Sequence, residues 1–306
     1  MISLKKKLNK IIFTGDIDSI NLEIICNSHK YLKNKVNYFL VGDINEICSH
    51  LKKLKKNIII NEIIDPFDFT KLSNTNLNIY NFKISNSKVD NLLAQIEFCN
   101  SICNKTKNDL VTMPINKSIF KKKMKFNGMT ELFADLNNRQ TVMLMYGEKF
   151  SIIPLTTHIN PKDIFKNISP SKIEILLNTI FKSLRNKNHN LQFKNFKFLC
   201  YNPHCGEKNT LGTEDNNIEK LIKKKFKFIN GPYPGDSAFK KIKKETLFFS
   251  TYHDQALIPF KIFNKRGINI TLGLDYRRLS PAHGTAKDIK FKNLSDATSY
   301  LRCMLI

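Results

Sequence analysis

The stretch KIIFTGDIDSINLEIICNSHKYLKNKVNYFLVGD, residues 10–43, decides the fold class of this 306-residue chain. Lys10 to Thr14 is a short apolar run that ends at Gly15-Asp16. Leu22 to Leu32 carries apolar residues at helical spacing, and Val36 to Val41 is a second apolar run that again ends in Gly-Asp. Strand, turn, helix, strand in this rhythm indicates a βαβ unit, and therefore an α/β fold with a mostly parallel sheet. The rhythm continues downstream. Ile44 to Leu54 is helical, Asn57 to Ile60 is a third short apolar run, and residues 65–80 are polar and irregular. Ser87 to Asn104 is an amphipathic helix through Val89, Leu92, Leu93, Ile96, Cys99 and Cys103. It leads into a buried-type strand, Asp109 to Met113.

Further along, Thr141 to Tyr146 and Phe150 to Leu155 read as paired strands joined at Gly147-Glu148. Lys172 to Leu184 is a helix with Pro170 at its start and Ser169 or Ser171 as its cap. Phe196 to Tyr201 and Thr246 to Thr251 are strands, Ile218 to Lys225 a helix, Ile268 to Leu272 a short β run, and Ser295 to Met304 a closing helix. No G-x-G-x-x-G follows a strand and no G-x-x-x-x-G-K-[ST] occurs, so neither a classical dinucleotide fingerprint nor a phosphate loop is present.

Composition narrows the class. A hydrophobic content of 42% fits a soluble globular chain rather than a disordered one. No apolar run approaches the roughly 20 residues that span a bilayer. The N-terminal MISLKKKLNKIIFTGD lacks the longer apolar segment and cleavage site of a signal peptide, so a cytoplasmic protein without a membrane partner is expected. Seven cysteines with no C-x-x-C pair read as reduced thiols. The net charge is +24, from 50 basic and 26 acidic residues. The lysines are spread in runs at Lys5 to Lys7, Lys52 to Lys56, Lys121 to Lys123 and Lys223 to Lys225. With asparagine and isoleucine also abundant, they read as solvated surface rather than a nucleic-acid footprint.

Three histidines stand out by context. His158, His204 and His253 each follow an apolar strand-like run, and ligand sites in parallel sheets gather at the C-terminal ends of strands. They could converge on a divalent metal ion, with Asp254, Gln255 and Glu207 able to orient the rings. Equally, each could be a hydrogen-bonded loop residue. Lys261, Arg277 and Arg278 lie in a polar, glycine-punctuated loop and suit phosphate or carboxylate, or plain surface charge. Thr130 precedes the apolar helical run Leu132, Phe133, Leu136. It either caps that helix or opens the helix N-terminus to an anion.

Several motifs occur in one order: VTMPINK (111–117), GMTELFA (128–134), TTH (156–158), NPHCGE with GTE (202–207, 212–214), GPYPGDSAF (231–239), YHDQ (252–255), NITLGL (269–274) and HGTA (283–286). Spread over about two thirds of the chain, this series resembles the 4-hydroxythreonine-4-phosphate dehydrogenases, a family of NAD-dependent enzymes of pyridoxal phosphate biosynthesis. The resemblance implies a two-domain architecture like that of isocitrate and isopropylmalate dehydrogenases. Its approximate lobes are 1–125 plus 250–306, and 126–249, with the active site in the cleft between them. It implies oxidation of 4-phosphooxy-L-threonine with hydride passing to NAD, followed by decarboxylation to 3-amino-2-oxopropyl phosphate. It also implies a homodimer whose metal site is shared across the interface. One divalent ion per subunit (Zn, Mg, Co or Mn) would be held by His158, His204 and His253.

By the same resemblance Met129, Thr130, Lys261, Asn269 and Arg278 contact the small phosphorylated substrate. Lys261, Asp254 and His283 are the candidate catalytic groups, the last two as proton carriers or as residues that orient others. The NAD-contacting residues are not marked by any motif. Two segments depart from the family pattern. Met129 stands where the family has histidine, and residues 15–23 read GDIDSINLE where the family has GDPAGIGPE. These departures keep two alternatives open: a dehydrogenase of a related threonate or erythronate phosphate, and a binding homologue with impaired catalysis.

Overall fold

The apolar run that opens the chain is strand β1 (Leu8–Phe13), in which Ile11, Ile12 and Phe13 are wholly buried. Burial of each such side chain contributes about 1.5–3 kcal/mol. A run apolar on both faces is what a central parallel strand between two helical layers needs. The computed structural model describes residues 7–120 and 127–306, so Lys5, Lys6 and the run Lys121 to Lys123 lie outside the described residues. The chain forms two units, Met1–Phe126 with Asp275–Ile306, and Asn127–Leu274.

In the first unit, helix α1 (Asn21–Leu32) links β1 to its parallel neighbour β2 (Val36–Gly42). Helix α2 (Ile44–Lys53) starts at Asp43, whose carboxylate accepts from the backbone N–H groups of Asn45 and Glu46 at 2.9 and 3.4 Å. Strands β3 (Ile60–Glu62) and β4 (Leu77–Asn81) follow, then helix α3 (Lys88–Thr106), capped by Ser87, and strand β5 (Asp109–Thr112). The order is β3-β4-β2-β1-β5, all parallel.

The loop after β1 keeps its glycine for a steric reason. Gly15 has φ +73°, and a Cβ there would lie 2.5 Å from the Pro114 carbonyl oxygen. Asn21 Nδ2 donates to the carbonyls of Thr14 and Pro114, which fastens the GDIDSINLE loop to the segment after β5. Asp16, wholly buried, accepts from Lys88 at 2.6 Å.

The second unit opens with helix α4 (Met129–Asn137) and the antiparallel strands β6 (Val142–Tyr146) and β7 (Ser151–Pro154). Helices α5 (Ile164–Asn167) and α6 (Pro170–Arg185) come next. They are followed by β8 (Asn195–Leu199), α7 (Glu214–Lys225), β9 (Ile229–Tyr233), β10 (Thr246–Ser250), α8 (His253–Phe263) and β11 (Ile268–Leu272). The order is β11-β6-β7-β10-β8-β9, with β7, β10, β8 and β9 mutually parallel. Aromatic rings fill the space around β10: Phe248 and Phe249 are wholly buried, Phe150 and Phe181 pack edge-on against them, and Phe196 stacks on Phe249.

The chain then returns to the first unit as β12 (Arg278–Pro281), parallel to β5, and ends in helix α9 (Thr298–Leu305). Lys10, Asp109 and Arg277 form a buried cluster there. Asp109 accepts from Lys10 Nζ at 2.8 Å and from Arg277 Nε and a terminal guanidinium nitrogen at 2.9 and 2.6 Å. Lys10 is thus one lysine that the reading of the basic surplus as solvated surface does not describe.

Four expectations are corrected. Residues 65–80 are not irregular throughout, because β4 begins at Leu77. Residues 250–274 run with the second unit rather than the first, since β10, α8 and β11 are built onto β7, β8 and β6. The segment carrying Lys261 is helix α8 and not a loop. Ser169 occupies the cap position of α6 without making a side-chain cap bond. The seven cysteines are free thiols, as their spacing indicates. Among the described residues no helix is long and apolar enough to cross a membrane.

A candidate metal and anion site

Strands β7, β10 and β8 are consecutive parallel neighbours, so the segments leaving their C-terminal ends emerge side by side. His158 follows β7, His253 opens α8 just after β10, and His204 sits in the short turn Pro203–Gly206 after β8. His158 and His253 meet: their ring centroids are 5.6 Å apart, with planes inclined by 43°. Two imidazoles sharing one tetrahedral ion at N–metal distances near 2.0–2.1 Å have centroids about 5 Å apart. The centroid spacing of the pair is compatible with one shared ion.

The polar neighbours fit as well. His253 Nδ1 lies 2.9 Å from an Asp254 carboxylate oxygen, and His158 Nδ1 lies 3.7 Å from Glu131 Oε1. A ring whose Nδ1–H faces a carboxylate keeps the Nε2 lone pair for a metal. Thr157 Oγ1 donates to the same Glu131 oxygen at 3.0 Å. Burial opposes charge on Glu131, but the His158 ring, the backbone N–H of Glu131 itself and the Thr157 hydroxyl outweigh it and hold the carboxyl down to about 2.

His204 does not join them. It is exposed in its turn, and among the described residues no three His, Cys, Asp or Glu side chains gather as a metal centre. Within one chain the structure thus brings together two of the three histidines, His158 and His253. Of the residues expected to orient the rings, only Asp254 touches one. Gln255 instead accepts from Thr251 N–H and donates to the Cys200 carbonyl, bracing the ends of β10 and β8, and Glu207 is exposed. Glu131 and Thr157 escape a sequence reading as partners of His158. The available signal is the TTH triplet together with a glutamate in the first turn of α4.

Thr130 does not cap α4. Gly128 holds that position, and Thr130 lies within the first turn. With Glu131, Thr157, Gln140, Met143 and Asn127 it lines a cleft of about 380 Å³. Met129 is the half-buried first residue of α4. Asn269, on β11, has its Oδ1 buried and without a partner among the described residues, which suits a donor on a ligand. Lys261 is exposed in the last turn of α8. His204 lines a second cleft of about 480 Å³ with Tyr201, Asn202, Asp236, Tyr252 and Gln255.

In the first unit, Arg278 is buried and donates to Thr112 Oγ1 at 2.7 Å. Arg277 is committed to Asp109, so the reading of it as an anion-binding residue is replaced by a role in the buried cluster. His283 follows β12, with Nδ1 2.9 Å from the Gly284 carbonyl oxygen. Its Nε2 is buried without a partner among the described residues, and burial lowers its pKa.

The chain is 32% identical to a 4-hydroxythreonine-4-phosphate dehydrogenase of Aquifex aeolicus, over 98% of this chain and 97% of that one. Solved structures bearing the same name give the fold. The one from Klebsiella pneumoniae matches with a TM-score of 0.80 at 22% identity, over 98% of both chains. A putative one from Salmonella typhimurium matches with a TM-score of 0.81 at 22% identity, over 98% of this chain and 100% of that one. The sequence model of the family described as pyridoxal phosphate biosynthetic protein PdxA matches residues 21–306, and the chain belongs to that family.

Proposed function

We propose that this chain is an NAD-dependent dehydrogenase that oxidises 4-phosphooxy-L-threonine and, after loss of CO2, releases 3-amino-2-oxopropyl phosphate. Family membership supports the reading. The observation that carries it is the facing pair His158 and His253, each with a carboxylate at Nδ1. A substrate with a carboxylate at one end and a phosphate at the other calls for cations and hydrogen-bonding groups. Lys261 and Arg278 are the cations, Thr130 offers a hydroxyl, and Asn269 offers its unpartnered Oδ1 to a substrate hydroxyl or ammonium.

In the oxidation, the carbon bearing the 3-hydroxyl gives up a hydride to NAD+ and the hydroxyl proton passes to a base. Asp254 is engaged with His253 and orients it. His283, kept neutral by burial, is the remaining candidate proton acceptor. The β-keto acid that results then loses CO2, and the electron pair left behind is reprotonated. His158 and His253, with His204 supplied by a second copy of the chain, would hold zinc, magnesium, cobalt or manganese, and a homodimer follows from that sharing. The chemistry such an ion supplies when bound is polarisation of the reacting hydroxyl and relief of negative charge.

Met129 cannot donate a hydrogen bond, so one substrate contact that the family resemblance implies is lost here, and a dehydrogenase of a related threonate or erythronate phosphate is the second reading. The test is NADH formation by purified protein across these substrates. Activity on 4-phosphooxy-L-threonine that is abolished by a chelator and by His204→Ala is expected. Undiminished activity in His204→Ala overturns the shared metal centre, and NADH formation from another substrate alone overturns the substrate assignment.

A further inference from the structure

We infer that Glu131 is the positioning residue of this centre: its carboxylate fixes the tautomer and orientation of His158, so that Nε2 rather than Nδ1 is presented to a divalent cation. The inference rests on the reading of His158 as a metal ligand. Three observations converge on it. Glu131 Oε1 is the carboxylate oxygen beside His158 Nδ1, at an ion-pair distance of 3.7 Å. Thr157 Oγ1 holds that same oxygen at 3.0 Å, so the carboxylate is itself fixed. The other oxygen, Oε2, is buried without a partner among the described residues, an arrangement that capping of α4 alone does not account for.

The backbone is shaped around this contact. Gly128 passes so close that a Cβ on it would lie 2.5 Å from Glu131 Oε2 and 3.3 Å from His158 Cε1. Only a residue without a side chain leaves the carboxylate and the ring in place together. His253 has the equivalent partner in Asp254, its sequence neighbour. For His158 the partner comes from the first turn of α4. Both rings of the pair thus have the same nitrogen turned to a carboxylate, which leaves two Nε2 lone pairs for one cation.

The substitutions that test this are Glu131→Gln, which keeps the volume but can offer an amide N–H to Nδ1, and Glu131→Ala, which removes the group. Two measurements are made on the full-length protein. The first is the nitrogen chemical shifts of His158 in metal-free, histidine-labelled protein. The second is zinc affinity by competition with a chromophoric chelator. In the parent protein His158 carries its proton on Nδ1. In both variants the proton moves to Nε2 or divides between the two nitrogens, and zinc affinity falls by about 10–100-fold. An unchanged tautomer with unchanged zinc affinity in folded Glu131→Gln and Glu131→Ala overturns the inference. His158→Ala separates this from the underlying reading. If zinc affinity survives His158→Ala, the metal assignment fails, while the tautomer of metal-free protein still decides what Glu131 does.

Discussion

Gly128→Ala is a small perturbation with an uneven expected effect. Gly128 has φ −177° and ψ 171°, an extended conformation that alanine adopts freely, so no backbone strain enters. The added Cβ would sit 2.5 Å from Glu131 Oε2 and 3.3 Å from His158 Cε1. Ordinary contact is near 3.5 Å, so the carboxylate must retreat by roughly 1 Å. That group is the tip of a flexible side chain, and its displacement costs little stability. Replacing glycine by alanine at a helix N-cap adds about 0.5–1 kcal/mol. The net loss of stability is therefore about 1 kcal/mol. Zinc affinity, by contrast, falls by about 10-fold or more, because the support of His158 is lost. Chelator competition and the urea midpoint from circular dichroism, measured on the same preparation, give the two numbers. Unchanged zinc affinity with a folded protein refutes the reasoning. A large loss of stability would show that the Gly128 contact is a packing constraint instead.

Two further predictions concern the first unit. Asp109→Asn leaves Lys10 and Arg277 buried without their anion and costs about 3–5 kcal/mol, read as a lower urea midpoint; a shift below about 1 kcal/mol counts against that role. Burial lowers the pKa of His29, His50 and His283 below the ordinary 6.5. As pH falls through that value the unfolded chain takes up protons before the folded one does. Stability is therefore complete above 6.5 and declines as pH drops toward the folded-state values. Melting temperature should fall between about pH 7.5 and 5.5, a window above the range in which Asp18 and Glu131, with their lowered pKa, contribute. A flat profile there refutes the assignment.

How far the sequence reached depended on where each element's stabilisation comes from. Strands β1 and β2 are rich in apolar residues on both faces, and residues 10–43 declare them directly. Strand β4 was hidden because two polar residues, Asn78 and Asn81, interrupt a five-residue run. Asn78 is buried, yet it is satisfied at a distance: its Nδ2 donates to the Tyr38 and Ser73 carbonyls, and its Oδ1 accepts from Asn61 and the Ser73 N–H. No local pattern encodes those partners. Helix α8 was obscured by Pro259, which removes a helix donor, and by the exposed Lys261. The buried pair Ala256 and Phe260, one turn apart, is the helical signal that proline masked.

The candidate site divides along the same line. Motifs name His158, His204 and His253, but which nitrogen a ring presents depends on Glu131 for His158, and that contact is tertiary. His204 shows the converse. It has φ +51° and Cys205 has φ +56°, left-handed conformations that cost about 1–3 kcal/mol each outside glycine. The turn is held by groups that approach its start. Asp215, almost fully buried, accepts from the backbone N–H groups of Tyr201 and Asn202 at 2.6 and 2.9 Å, and Asn202 Nδ2 donates to Glu214 at 2.8 Å. Strain of this kind persists where surrounding structure over-determines a position, and such positions cluster at functional sites. In the proposed dimer, this exposed ring on its braced turn is the ligand that would be offered to a second copy of the chain.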